Sequence, residues 1–147
     1  KCGVTTDAVG GGDLLVLGRD RAGLLEATEA AVAAIAKVDA VITPFPGGIV
    51  RSGSKVGSKY KGAIASTNDA FCPTLKGVVA TECSPDTIAV LEIVIAGLTS
   101  QAVADAMRAG LKTLVEIGAA KGVTRISAGN YGGKLGQHHY HLKDLLP

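Results

Sequence analysis

Glu92 is the one carboxylate inside the most apolar run of the chain, Thr87-Ile-Ala-Val-Leu-Glu-Ile-Val-Ile-Ala-Gly-Leu98. A charge among aliphatic side chains is costly unless it is paired or neutralised. Burial raises the pKa of a carboxyl, and a carboxyl shifted in that way moves protons at neutral pH. The same position also suits a buried partner for a Lys or Arg across an interface, because structural ion pairs occupy such places too.

Two glycine-rich segments flank this run. The first is Thr43-Pro-Phe-Pro-Gly-Gly-Ile-Val-Arg-Ser-Gly-Ser-Lys55. Gly47 and Gly48 permit a positive φ or a close approach of backbone to a ligand. Ser52 and Lys55, with Arg51, Lys59 and Lys61, add a hydroxyl and positive charge, which suits a phosphate or carboxylate tail. The spacing is not that of a Walker A loop. The second segment is Ile126-Ser-Ala-Gly-Asn-Tyr-Gly-Gly-Lys-Leu-Gly136. Asn130 donates and accepts, Tyr131 offers a ring and a hydroxyl, and Lys134 adds charge. No dinucleotide fingerprint opens a helix there. An ordinary solvated loop accounts equally well for the first segment, and a tight strand-to-strand turn for the second.

Other reactive side chains carry less. His139 and His141, in His138-His-Tyr-His141, would share one face of a strand, but no third metal ligand is identifiable, so no metal is expected. Cys2, Cys72 and Cys83 show no CxxC spacing and read as free thiols of a cytoplasmic protein, with Cys72 a small buried hydrophobe.

The elements that must position these groups follow from periodicity. Leu14–Gly18 reads as a short strand. Asp20 caps a helix over about Ala22–Val38, with Leu24, Thr28, Val32 and Ile35 at the helical period. Val41–Thr43 begins a strand that Pro44 stops. Val78–Glu82 is a further candidate strand, and Thr87–Leu98 is the strongest. Thr99 or Ser100 caps a second helix to about Ile117, striped by Val103, Met107, Leu111 and Leu114. Val123–Ala128 and Gln137–Leu142 complete the strands. The order strand, helix, strand, strand, helix, strand predicts an α+β fold, a ferredoxin-like split βαβ sandwich with a long Gly-rich insertion. In Thr87–Leu98, Leu91, Ile93 and Ile95 point one way, and Ile88, Val90, Glu92 and Val94 the other. Both faces are apolar, so the one without helices must meet a second lobe or a subunit.

Composition narrows the class. The 147 residues suggest one domain with an aliphatic core: 47% are hydrophobic, 3% aromatic, and Trp is absent. A net charge of +2 with both signs interspersed argues against nucleic acid as a partner. No apolar stretch approaches the roughly 20 residues of a membrane span, so no membrane partner is expected. The start, Lys1-Cys-Gly, lacks both Met and an apolar secretory core, which suggests a piece of something longer.

Five segments together resemble one family. Thr43-Pro-Phe-Pro-Gly-Gly-Ile-Val, Ser52-Gly-Ser-Lys55, Phe71-Cys-Pro73, Glu92-Ile-Val-Ile and Ile126–Gly136 resemble formylmethanofuran:tetrahydromethanopterin formyltransferase, over nearly this whole chain but only the C-terminal half of that enzyme. The resemblance implies that residues 1–147 are the C-terminal lobe of a two-lobe formyltransferase whose N-terminal lobe is absent, with 1–12 a flexible lead-in. It implies a cytoplasmic, homo-oligomeric acyltransferase of one-carbon metabolism, in methanogenesis or methylotrophy, that moves a formyl group between methanofuran and N5 of tetrahydromethanopterin without a cofactor. Its partners would be those C1-carrier coenzymes, its own N-terminal lobe, identical subunits and a formyltransferase/hydrolase complex. Glu92 falls where the family carries a carboxylate near the formyl carbon. Gly47, Gly48, Ser52, Lys55, Asn130, Tyr131 and Lys134 are the expected substrate contacts. The lobe alone is expected to be inactive. Two alternatives stay open: a non-catalytic structural or oligomerisation lobe of a formyltransferase/hydrolase complex, and a regulatory small-molecule-binding domain.

Overall fold

The computed structural model describes residues 8–56, 61–62, 65–129 and 138–146. Its long elements begin where the side chains can cap them. Asp20 accepts a hydrogen bond from the Gly23 N–H at 2.8 Å and starts α1, Arg21–Ile35. Thr99 accepts from the Ala102 N–H at 3.1 Å and starts α2, Ser100–Ile117. Each cap satisfies one of the amide groups that a helix start leaves without an intrahelical partner.

The strands that precede these helices are β1, Val9–Gly18, and β6, Ala89–Gly97; β7, Val123–Ser127, follows α2. Between α1 and β6 lie β2, Val41–Ile42, β3, Val50–Arg51, β4, Ser54–Val56, and β5, Ala65–Thr67. The main sheet runs β2-β6-β1-β7, with β3 also paired to β6, and every pairing is antiparallel. The architecture is therefore α+β. β4 and β5 form a separate two-stranded ribbon within the glycine-rich insertion.

Alternation along the central strands sorts the side chains between two faces. Leu14, Val16, Ile93 and Ile95 join Leu24, Ala27 and Ala31 of α1 and Val103, Met107 and Leu111 of α2 in the main core. On the other face Leu15, Leu17 and Val90 pack with Phe71 and Cys83 in a smaller cluster. The face expected to meet a second lobe or subunit is thus covered in part by this chain's own segment 68–83.

Three local expectations need correction. β1 starts at Val9, not Leu14, so residues 9–12 of the expected flexible lead-in are strand. The glycines permit this: Gly11 takes φ 117° at a register shift between Gly10 and Gly12. Gly12 then passes so close to α2 that a Cβ there would lie 2.6 Å from Val103 Cγ1. Val78–Glu82 is irregular apart from a bridge between Lys76 and Val79. Residues 138–141 are irregular too, ahead of a short helix α3, Leu142–Leu145. There the Tyr140 hydroxyl donates to the Ser100 carbonyl at 3.1 Å and docks the tail on α2.

Candidate active site

The central strand fixes Glu92. Its position opposite Leu15 in β1 and Val50 in β3 points it away from the helices, and it is 7% exposed. Its Oε2 accepts a hydrogen bond from the Gly53 N–H at 2.6 Å. Gly53 stands close because it has no side chain: a Cβ there would lie 3.0 Å from the same oxygen. The amide bond points at the carboxylate from the turn that follows β3, so the first glycine-rich segment does reach the acid.

That turn is itself held. The Asn68 N–H donates to the Gly53 carbonyl at 3.0 Å, and the Asn68 side-chain amide donates to Ser52 Oγ at 3.1 Å. The Ser52 N–H reaches the Val90 carbonyl at 3.4 Å. Asn68 is almost fully buried and was not singled out from the sequence, where a lone Asn between two β-strand candidates carries no signal.

A second carboxyl, also missed, completes the group. Asp13 pairs with Val94 across β1 and β6 while Leu15 pairs with Glu92, so Asp13 and Glu92 share one sheet face as diagonal neighbours. The Asp13 carboxyl is pushed up to about 8, first by burial, then by the Glu92 charge and by hydrogen bonding toward Glu92. Two ionised carboxylates offer only acceptors, so a bond between them requires a proton on one of them. Asp13 Oδ1 is buried with no hydrogen-bond partner among the described residues. A Cβ on Gly129 would overlap Asp13 Oδ2, so the start of the second glycine-rich segment closes over this acid.

The other expected site residues have surroundings of their own or lie outside the described residues. Gly47 and Gly48 do take positive φ values of 68° and 75°. Gly48, however, packs on α1, where a Cβ would lie 2.6 Å from Val32 Cγ1, and Gly47 is exposed. Lys55 is ion-paired with Asp69, whose carboxyl it holds below the usual range. Asn130, Tyr131, Lys134 and Cys2 lie outside the described residues. Cys72 is half-buried, with its Sγ 3.2 Å from Thr74 Oγ1, and the buried thiol is Cys83. His138, His139 and His141 are exposed.

Beside Ser52 opens a groove of about 500 Å³, lined among others by Arg21, Arg51, Ser52, Cys72, Thr74 and Ile88. Among the described residues neither guanidinium has an ion-pair partner, so the groove joins apolar walls to free positive charge. No helix among the described residues is long and apolar enough to cross a membrane.

Comparison with known proteins bears on this arrangement. Residues 1–145 match the family described as "FTR, proximal lobe". A formylmethanofuran–tetrahydromethanopterin formyltransferase of Methylobacillus flagellatus is 58% identical over 139 residues, covering 95% of this chain and 46% of that protein. The crystal structure of the formyltransferase/hydrolase complex of Methylorubrum extorquens with methylofuran contains a chain of 59% identity and TM-score 0.89, covering 94% of this chain and 45% of that one. The Methanosarcina barkeri formylmethanofuran:tetrahydromethanopterin formyltransferase gives 47% identity and TM-score 0.85, with 94% and 46% covered. This chain thus spans under half the length of each of these three relatives.

Proposed function

This chain belongs to the FTR formyltransferase family, as its proximal lobe, and on that premise we propose that it is the C-terminal lobe of an enzyme that passes a formyl group between methanofuran and N5 of tetrahydromethanopterin. The observation that carries the proposal is the environment of Glu92: a buried carboxyl, anchored by the Gly53 N–H, on the sheet face away from the helices.

The chemistry needs such a group. N5 attacks the formyl carbon, a C–N bond forms, and the carbonyl electron pair moves to oxygen. Collapse of that tetrahedral intermediate restores the carbonyl and breaks the bond to the methanofuran nitrogen. One proton leaves the attacking nitrogen and one reaches the departing amine, so the reaction is proton-neutral. Glu92 is the carrier for that exchange. The Arg21–Arg51 groove, which Ser52 also lines, has the charge for the anionic tails of such carriers, and Gly47, Gly48 and Lys55 of the same segment are the further substrate contacts of this reading. Asn130, Tyr131 and Lys134 follow Gly129 in the sequence and are the remaining substrate contacts of this reading.

The strand order β2-β6-β1-β7 supports the finer description of the fold as a ferredoxin-like split βαβ sandwich. The two C1 carriers are the substrates, and no further cofactor is invoked. The protein works in the cytoplasm as a homo-oligomer, completed by an N-terminal lobe, and a formyltransferase/hydrolase complex is its natural larger assembly. The test is formyl transfer by the full-length protein between the two carriers, with thermal shifts for each. Transfer, and stabilisation that grows with carrier concentration, are expected. A protein stabilised by neither carrier would overturn the reading.

A further inference from the structure

The formyl-transfer reading above gives Asp13 no task, yet Asp13 is built into the same site. It stands diagonal to Glu92 on one face of the sheet, its Oδ1 is buried with no hydrogen-bond partner among the described residues, and the bare backbone of Gly129 closes over it. We infer that Asp13 is a positioning residue for formyl transfer, holding a proton against Glu92 so that the acid stays seated on the Gly53 N–H. The inference rests on Glu92 being the proton carrier.

The surroundings leave little choice. On its own strand Asp13 has Gly12 and Leu14 as neighbours, β6 brings Glu92, and Gly129 after β7 brings no side chain. Among the described residues Glu92 is the one charged group acting on Asp13. With no cation between them among the described residues, two close carboxyls keep one proton between them, as a pair. A proton on Asp13 serves Glu92 as a second donor beside the Gly53 N–H, which donates to Glu92 Oε2 at 2.6 Å. Two donors set the carboxyl plane and leave its free lone pairs for the reacting nitrogens. When Asp13 ionises, the donor becomes a repelling charge. Glu92 is then pushed off Gly53, and the rate falls as the pH passes about 8.

The experiment compares full-length wild type with Asp13→Asn and Asp13→Ala. Asn keeps a donor but cannot exchange the proton; Ala removes both. Losing a hydrogen bond to a charged group predicts kcat lower by about tenfold in Asp13→Asn and about a hundredfold in Asp13→Ala. KM should hold within about twofold, because no substrate contact is removed. The high-pH limb of the wild-type rate should be absent from both variants. Wild-type kcat with the limb intact overturns the inference, and so does a rise in KM at constant kcat. If neither variant assembles, carboxyl-carbon NMR of the wild type decides: titration of Asp13 near pH 8 supports the inference, and titration in the ordinary carboxylate range overturns it. Glu92→Gln run in parallel separates the two claims. Full activity there sinks the parent reading; an inactive Glu92→Gln beside a normal Asp13→Ala sinks only this one.

Discussion

Asp13 and Glu92 face each other diagonally across β1 and β6, and each is approached by a glycine: Gly129 over Asp13 and Gly53 onto Glu92. A side chain at either glycine would occupy the space of a carboxyl oxygen or crowd it. Two acids in one partly dry place are unfavourable unless they share a proton, so the pair stores a pH dependence that simple core packing does not have.

That dependence has a definite sign. Asp13 has a folded-state pKa of about 8 against an ordinary value of 3.8. Between those values the native state binds more protons than the unfolded state, so stability falls as pH rises, and it levels off above about 8. Thermal melting of the full-length protein from pH 5 to 9 should show this decline. Asp13→Asn should flatten it. An equal decline in the variant would assign the dependence to other groups.

Gly129→Ala places a methyl group on Asp13 Oδ2. Overpacking of this kind typically costs about 1–3 kcal/mol. The expected outcome is a lower melting temperature together with reduced formyl transfer, measured on the full-length protein. A variant unchanged in both would mean that the turn yields freely and does not confine Asp13.

Asn68 tests the other side of the site. Two of its hydrogen bonds hold Ser52 and Gly53, and through Gly53 they hold Glu92. Asn68→Ala removes the side-chain bond and leaves the backbone one. A loss of about 1–3 kcal/mol is expected, with kcat reduced more than KM is raised, because the Ser52–Gly53 turn that aims the amide donor at Glu92 loosens. Equilibrium unfolding and steady-state kinetics check both.

The isolated 147-residue chain should transfer no formyl group above background, because it spans under half the length of those three relatives. The assay compares it with the full-length protein at equal active-site concentration. Robust turnover by the chain alone would show that the lobe carries a complete site.

The legible parts of the sequence were those where one local rule acts. The stripe Val103, Met107, Leu111 and Leu114 with its Thr99 cap gives α2, and Asp20 gives the start of α1. Glu92 stood out because it interrupts an apolar strand, and it is buried in the fold. What failed depended on distance along the chain. Asp13 gains its meaning from strand register, which no local pattern encodes, and Asn68 from a turn that only tertiary contact brings near. Val9–Gly12 looked like a lead-in because glycine has low strand propensity. Pairing with β6 and contact with α2 override that preference. The histidine run looked like a strand, but the Tyr140–Ser100 hydrogen bond ties it to α2 instead.

The proposed role of Glu92 as proton carrier in formyl transfer is open to direct measurement. Glu92→Gln in the full-length protein preserves shape and can still accept from the Gly53 N–H, but it cannot exchange a proton. The expected result is kcat lower by about 10²–10⁴, with the oligomer and the melting temperature retained. Wild-type kcat in a folded, assembled Glu92→Gln protein would contradict it.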